Sequence, residues 1–282
     1  MRFVSYAQNF EDVMLWRALK HISNGFYIDV GAWSPDIDSV TRIFYEHGWR
    51  GVNVEPNSEF HAQYALSRPR DINLKTAVGD KEGTLHINFM SNAGLSTAID
   101  EFAAQHKAAG CTGDRQEVPL STLKTICREN IPATQEIHFL KVDVEGLEES
   151  VLRGNDWTLY RPWIVLVEAT LPMSQVESYA SWEPILLNAG YQFVYADGLN
   201  RFYLANERAG LQEAFKYPPN VFDGFLLSAQ QEAETKAQQA ETKAQQAETK
   251  AQQAEAELQA VYASLSWRLS SPVRWLGKFI KR

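Results

Sequence analysis

Two short apolar runs constrain this chain more than any other feature: residues 26–32, Phe-Tyr-Ile-Asp-Val-Gly-Ala, and residues 52–57, Val-Asn-Val-Glu-Pro-Asn. Each is as long as one strand buried on both faces, and each ends in a turn marked by a glycine or an acid. A helix-length segment separates them. Strands buried on both faces need helices covering both faces, so such units build a mostly parallel sheet. The fold class is therefore α/β, doubly wound.

The alternation continues along the body. Strands are expected over residues 26–30, 51–55, 73–78, 137–144 and 163–168, with a further edge strand over 84–89. Helices are expected over 12–20, 40–47, 60–67, 119–129, 145–153 and 176–188, while 91–113 reads as an irregular cover. Residues 191–195 and 201–205, joined by Asp197-Gly198-Leu199-Asn200, make a hairpin. A turn this short joins only antiparallel neighbours. The expectation is a mostly parallel seven-stranded sheet closed by an antiparallel hairpin, within a domain over residues 1–228.

After Phe225 the composition changes. Ala-Glu-Thr-Lys-Ala-Gln-Gln occurs three times, starting at Ala233, Ala240 and Ala247. With Ala233 at d, the heptad seam runs through Ala237, Ala240, Ala244, Ala247, Ala251, Ala254, Leu258 and Val261 to Leu265. Glutamates occupy e and lysines g, so Lys236 can reach Glu241 of a parallel partner. A long helix with coiled-coil self-association is expected over 229–265. Residues 266–282 hold five basic residues and no acid. From Pro272 they read as an amphipathic helix with Val273, Leu276, Phe279 and Ile280 on one face, suited to an anionic membrane surface or a protein partner.

The net charge of −8 argues against a nucleic-acid binder. Cys111 and Cys127 fit no zinc spacing and no disulfide framework. Asn9, Glu11 and Asp12 interrupt any signal-like apolar run, and no stretch is long enough to span a bilayer, so a cytoplasmic location, peripheral at the membrane through the basic tail, is expected.

Glu55 follows Gly31 by some two dozen residues, at the tip of the next strand. In doubly wound folds an acid there binds the ribose hydroxyls of an adenosine cofactor. Gly31 is followed by Ala32, Trp33, Ser34 and Pro35, so the remaining glycines of the nicotinamide fingerprint are absent, as is a P-loop. S-adenosylmethionine has no phosphates and needs one such glycine, which favours a methyl donor and the methyltransferase variant of the fold.

Four segments in order carry a resemblance: residues 5–12 (Ser-Tyr-Ala-Gln-Asn-Phe-Glu-Asp), 28–32 (Ile-Asp-Val-Gly-Ala), 54–57 (Val-Glu-Pro-Asn) and 141–146 (Lys-Val-Asp-Val-Glu-Gly). Ala77-Val78-Gly79-Asp80, Ser96-Thr97 and Arg161-Pro162 agree. Over roughly residues 3–205 the chain resembles the FkbM family of S-adenosylmethionine-dependent methyltransferases, Trp33 departing from the small or polar residue common there. The resemblance implies O-methylation of a hydroxyl, often on a sugar or natural product, with S-adenosyl-L-methionine as cofactor. A base must take the hydroxyl proton. Asp143 or Glu145 is expected in that role, with Glu168 third, and the same three acids would also suit a hard cation with waters. Asp29 would order the glycine turn and the donor amino group, and Gly31 and Ala32 would form that turn. Glu55 would bind ribose and Asp80 the adenine edge, with Gln8 and Asn57 beside them. Lys141 is expected to pair with a buried acid.

Overall fold

The structure, a computed structural model, describes residues 3–91, 96–270 and 274. The described residues divide into two compact units between Leu226 and Leu227.

The first unit is a mixed α/β fold built on one seven-stranded sheet. Its strands are β2 (Phe26–Val30), β3 (Arg50–Val54), β4 (Ile72–Leu74), β8 (Phe139–Val142), β9 (Ile164–Glu168), β10 (Tyr191–Ala196) and β11 (Asn200–Ala205), in the order β10-β11-β9-β8-β2-β3-β4. Contacts from β9 through β8, β2 and β3 to β4 are all parallel. β11 is antiparallel to both β9 and β10, so it alone runs against the others. The order reverses at β2, between β3 and β8, which opens a crevice at the carboxyl ends of these strands. A two-residue strand, β1 (Val4–Ser5), lies outside this sheet.

Alternation along the strands builds two cores. Phe26, Ile28, Val30, Val52, Val54, Leu140 and Val142 face α5 (Leu123–Asn130), α6 (Glu148–Arg153) and α7 (Glu183–Asn188), meeting Ile126, Val151, Leu152 and Leu186. Tyr27, Phe139, Ile164 and Leu166 face α1 (Glu11–Leu19) and α2 (Arg42–Glu46), meeting Met14, Leu15, Ile43 and Phe44. Burying one such side chain stabilises by about 1.5–3 kcal/mol, so the sheet's two apolar faces fix it between helical layers.

Several elements differ from the sequence expectation. The run over 73–78 is not one strand: the chain leaves the main sheet after Leu74, and β5 (Ala77–Gly79) pairs in parallel with β7 (Gly113–Thr122). β6 (Gly83–Met90) completes this three-stranded sheet, antiparallel to β7. The region read as irregular holds α4 (Asp100–Ala108) and ends where β7 begins, at Gly113. The helix read from 119 starts at Leu123 instead, capped by Thr122, whose Oγ1 accepts from the Thr125 N–H at 3.1 Å. α3 (Ser58–Ser67) begins two residues early because Asn57 caps it, its Oδ1 accepting from the Glu59 N–H at 2.8 Å.

The second unit contains α8 (Ser228–Ala263), exposed at every residue after Ser228, and α9 (Leu265–Leu269). The helix breaks at Ser264, whose ψ of 144° is extended and whose Oγ caps α9. The heptad seam therefore ends at Val261, and Leu265 lies past the break. Of the basic segment, residues 271–273 and 275–282 lie outside the described residues, and with them the amphipathic helix expected from Pro272. No helix among the described residues is long and apolar enough to cross a membrane.

Candidate active site

A cavity of about 720 Å³ opens at the carboxyl ends of β2, β3, β8 and β9, at the crevice that the strand order creates. Gln8, Gly31, Ala32, Glu55, Asn57, Asp143, Glu145 and Glu168 all line it, as the sequence reading required. Asp29 and Asp80 do not.

Asp29 sits beneath the turn, 1% exposed. It pairs in register with Lys141 on the neighbouring strand, and Lys141 Nζ lies 3.5 Å from Asp29 Oδ1 and 3.2 Å from Asp143 Oδ2. Lys141 also donates to the Gly31 carbonyl at 3.2 Å, and Thr41 Oγ1 donates to Asp29 Oδ2 at 3.2 Å. Asp29 thus orders the glycine turn through Lys141 and does not reach the cavity. Burial alone would lower the Lys141 pKa, but Asp143 and Asp29 hold it above its ordinary value.

Asp80 follows β5, outside the main sheet, and its side chain is exposed while its N–H donates to Ser150 Oγ at 3.0 Å. A strand that leaves the sheet cannot deliver its terminal acid to the crevice. Thr76, Ala77 and Val78 line the cavity instead.

Two glycines of the site are held to close packing. Gly31 has φ +74°, and a Cβ there would lie 1.7 Å from the Asp143 carbonyl oxygen. What approaches it is the end of β8. Gly146, at φ +105°, faces Ile99 and Phe102 and does not open a helix, since α6 starts at Glu148.

Glu55 accepts from the Trp33 N–H at 2.9 Å through Oε2 and from the Asn57 N–H at 2.7 Å through Oε1. Burial pushes its carboxyl up to about 7 against these bonds. Each oxygen keeps a lone pair for a ligand hydroxyl. Trp33 and Phe60 make an edge-on pair along this wall, ring centroids 6.1 Å apart.

At the other end, carboxylate oxygens of Asp143, Glu145 and Glu168 lie within 4.8 Å of one another. Glu145 adopts φ 52°, and its Oε2 is buried with no hydrogen-bond partner. Burial, then repulsion from Asp143 and Glu148, raises the Glu145 pKa. Burial, then Asp143, Glu145 and Glu148, raises that of Glu168 further. Like charges this close do not all ionise at neutral pH, so the cluster can hold and exchange a proton. The same spacing would accommodate a hard divalent cation.

Sequence reasoning missed Glu11. It lines the cavity, accepts from Asn200 Nδ2 at 2.8 Å and the Asn9 N–H at 2.9 Å, and is pushed up to about 7 by burial, with Asp197 adding to the rise. Its neighbour Asp12 accepts from Ser5 Oγ and the Tyr6 N–H, both at 2.7 Å, folding the loop that carries Gln8. Leu85, Ile87 and Phe89, alternate residues of β6, also line the cavity and make part of its apolar wall. Their alternation was readable; the face they cover was not.

No curated protein matches the chain. Among solved structures, methyltransferase FkbM from Methylobacillus flagellatus KT is similar at 14% identity and TM-score 0.38, over 64% of this chain and 43% of that one. CalO1, a methyltransferase in calicheamicin biosynthesis seen in an SAH-bound form, is similar at 15% identity and TM-score 0.34, over 70% and 54%. The chain thus spans about half the length of the structures it resembles. The methyltransferase FkbM domain family matches residues 29–193, from the acid beneath the glycine turn to the closing hairpin, and the chain belongs to that family.

Proposed function

We propose that the chain is an S-adenosylmethionine-dependent O-methyltransferase whose acceptor is a hydroxyl of a sugar or glycan. The observation that carries the donor is the cavity's charge. Glu11, Asp38, Glu55, Asp143, Glu145 and Glu168 line it, against Lys141 as the one basic residue among the described lining residues. Such a surface favours a cationic ligand. When bound, the donor supplies an electrophilic methyl group on a sulfonium. Glu55, with both oxygens already oriented by backbone donors, would accept from the ribose hydroxyls. Trp33 and Phe60 give the adenine side an apolar wall.

Glu145 is assigned the acceptor's proton. Its Oε2 has no partner among the described residues, and its raised pKa brings proton affinity toward working pH, where a general base is most effective. Lys141 holds Asp143 at 3.2 Å and leaves Glu145 without a cation of its own. The carbohydrate acceptor rests on the family resemblance.

Titration with the methyl donor tests the donor reading; absence of binding in the millimolar range overturns it. Incubation with labelled donor and cell-derived glycan or lipid-linked fractions identifies the acceptor. With that acceptor, Glu145→Gln should lower turnover by about 10²–10⁴-fold and spare donor affinity. Loss of both would refute the base assignment.

A further inference from the structure

α8 is exposed at every residue after Ser228, yet its charges are placed with a specificity that solvation does not demand. In the three repeats the glutamates stand at e and the lysines at g, both flanking the alanine seam, while b, c and f hold Gln, Gln and Thr. The threonines at f face away from the seam and donate to carbonyls four residues back, at 2.8–2.9 Å for Thr235, Thr242 and Thr249.

Within one helix this pattern is poor for pairing. Lys243 stands two residues from Glu241 and five from Glu248, and Lys250 has the same spacing to Glu248 and Glu255. Side chains on a helix meet at three or four residues, not two or five. Lys236 has an acid at the right spacing, Glu232, at 3.5 Å. Across a parallel seam the five-residue spacing is the one that pairs g with the following e of a neighbour.

We infer that α8 is the self-association surface of this protein, docking a second copy of the chain in parallel and in register. Lys236, Lys243 and Lys250 then meet Glu241, Glu248 and Glu255 of the second copy. The antiparallel arrangement sets lysine against lysine and glutamate against glutamate, which repels. Identical repeats cannot by themselves fix register, because a slip of seven residues restores the same contacts. Leu258 at a and Val261 at d, 50% and 49% exposed, break that degeneracy. A one-heptad slip would put Leu258 against Ala251 and lose the large apolar pair.

Sedimentation equilibrium of the full chain tests this. The expected mass is a multiple of 32.0 kDa, falling with dilution; a mass fixed at 32.0 kDa at the highest attainable concentration overturns the inference. The pair Lys243→Glu and Lys250→Glu should weaken association by about tenfold or more with the helical far-UV signal retained, since exposed charge pairs are each worth a fraction of a kcal/mol and like-charge contacts reverse the sign. Unchanged association with that variant refutes the charge pairing. Orientation is read by Ala251→Cys in a Cys111→Ser background, which should form a disulfide-linked species under mild oxidation, while Gln252→Cys on the outer face should not. Equal cross-linking of the two, or none at Ala251→Cys, sinks the parallel in-register arrangement.

Discussion

Glu55 provides the sharpest test of the site's electrostatics. It is 7% exposed, and its carboxyl is pushed from an ordinary 4.5 up to about 7, mainly by burial. Between those values the folded protein holds a proton that the unfolded chain releases. Stability therefore falls as pH rises through this window, being fully retained below about 4.5 and lost above about 7. At about 1.36 kcal/mol per pKa unit, the contribution changes by about 2.5 kcal/mol between pH 5 and pH 8. Glu55→Gln removes the titration. It also turns an amide N–H₂ toward one of the two backbone donors that now bond Oε1 and Oε2, a cost of about 1–3 kcal/mol that does not vary with pH. The informative quantity is thus the pH dependence of the difference. Urea unfolding of both proteins, followed by near-UV circular dichroism of the first unit's aromatic residues, should show the variant gaining about 2.5 kcal/mol on the wild type from pH 5 to pH 8. Parallel stability profiles across that range would refute the claim that Glu55 is buried as an uncompensated acid.

Three further outcomes follow from the same geometry. Gly31→Ala places a Cβ 1.7 Å from the Asp143 carbonyl at φ +74°, so thermal unfolding should show a loss of at least about 2 kcal/mol or no folded protein. Lys141→Met strips the counter-charge from Asp29, whose side chain is 2% exposed, and should cost about 3–5 kcal/mol in urea at neutral pH. Glu168→Gln replaces an acid whose folded pKa is raised above its unfolded value, so relative to wild type the variant should gain stability as pH rises from 5 to 9 in the same assay while losing turnover.

The strands that position the site were legible because they are apolar on both faces. β2, β3, β8 and β9 carry continuous buried runs, and their terminal residues fall at the crevice. β7 was not legible: of its ten residues Val118 and Leu120 are the buried ones, and Pro119 argues against a strand interior. The split between β4 and β5 has no sequence mark either, since the departure at Lys75-Thr76 is set by where β7 offers partners, with Thr76 Oγ1 reaching the Pro119 carbonyl at 3.0 Å. That split misplaced Asp80, because the rule that strand-end acids face the ligand holds only for strands of the main sheet. Asp29 illustrates a different limit. Its position one residue before the end of β2 was readable, but whether it points to ligand or to Lys141 depends on a pairing register with a strand about 110 residues away.

The placement of the acids has a consequence for orientation. Lys141 bridges the inner pair, Asp29 and Asp143, from beneath the turn and offsets one of their two charges. Uncompensated carboxyl groups then concentrate on the β8–β9 side, at Glu145 and Glu168, where each raises the other's proton affinity. On the β3 side the acid is Glu55, held by two backbone donors and set beside the rings of Trp33 and Phe60. The cavity is therefore polarised from an apolar, aromatic end to an acidic one. An extended ligand with a heteroaromatic ring at one end and positive charge at the other meets complementary surroundings in one orientation and opposed ones in the reverse. A ligand that lost its positive charge would lose contact energy at the acidic end alone. That difference acts on ground-state binding, because charge complementarity favours the charged form of the ligand most.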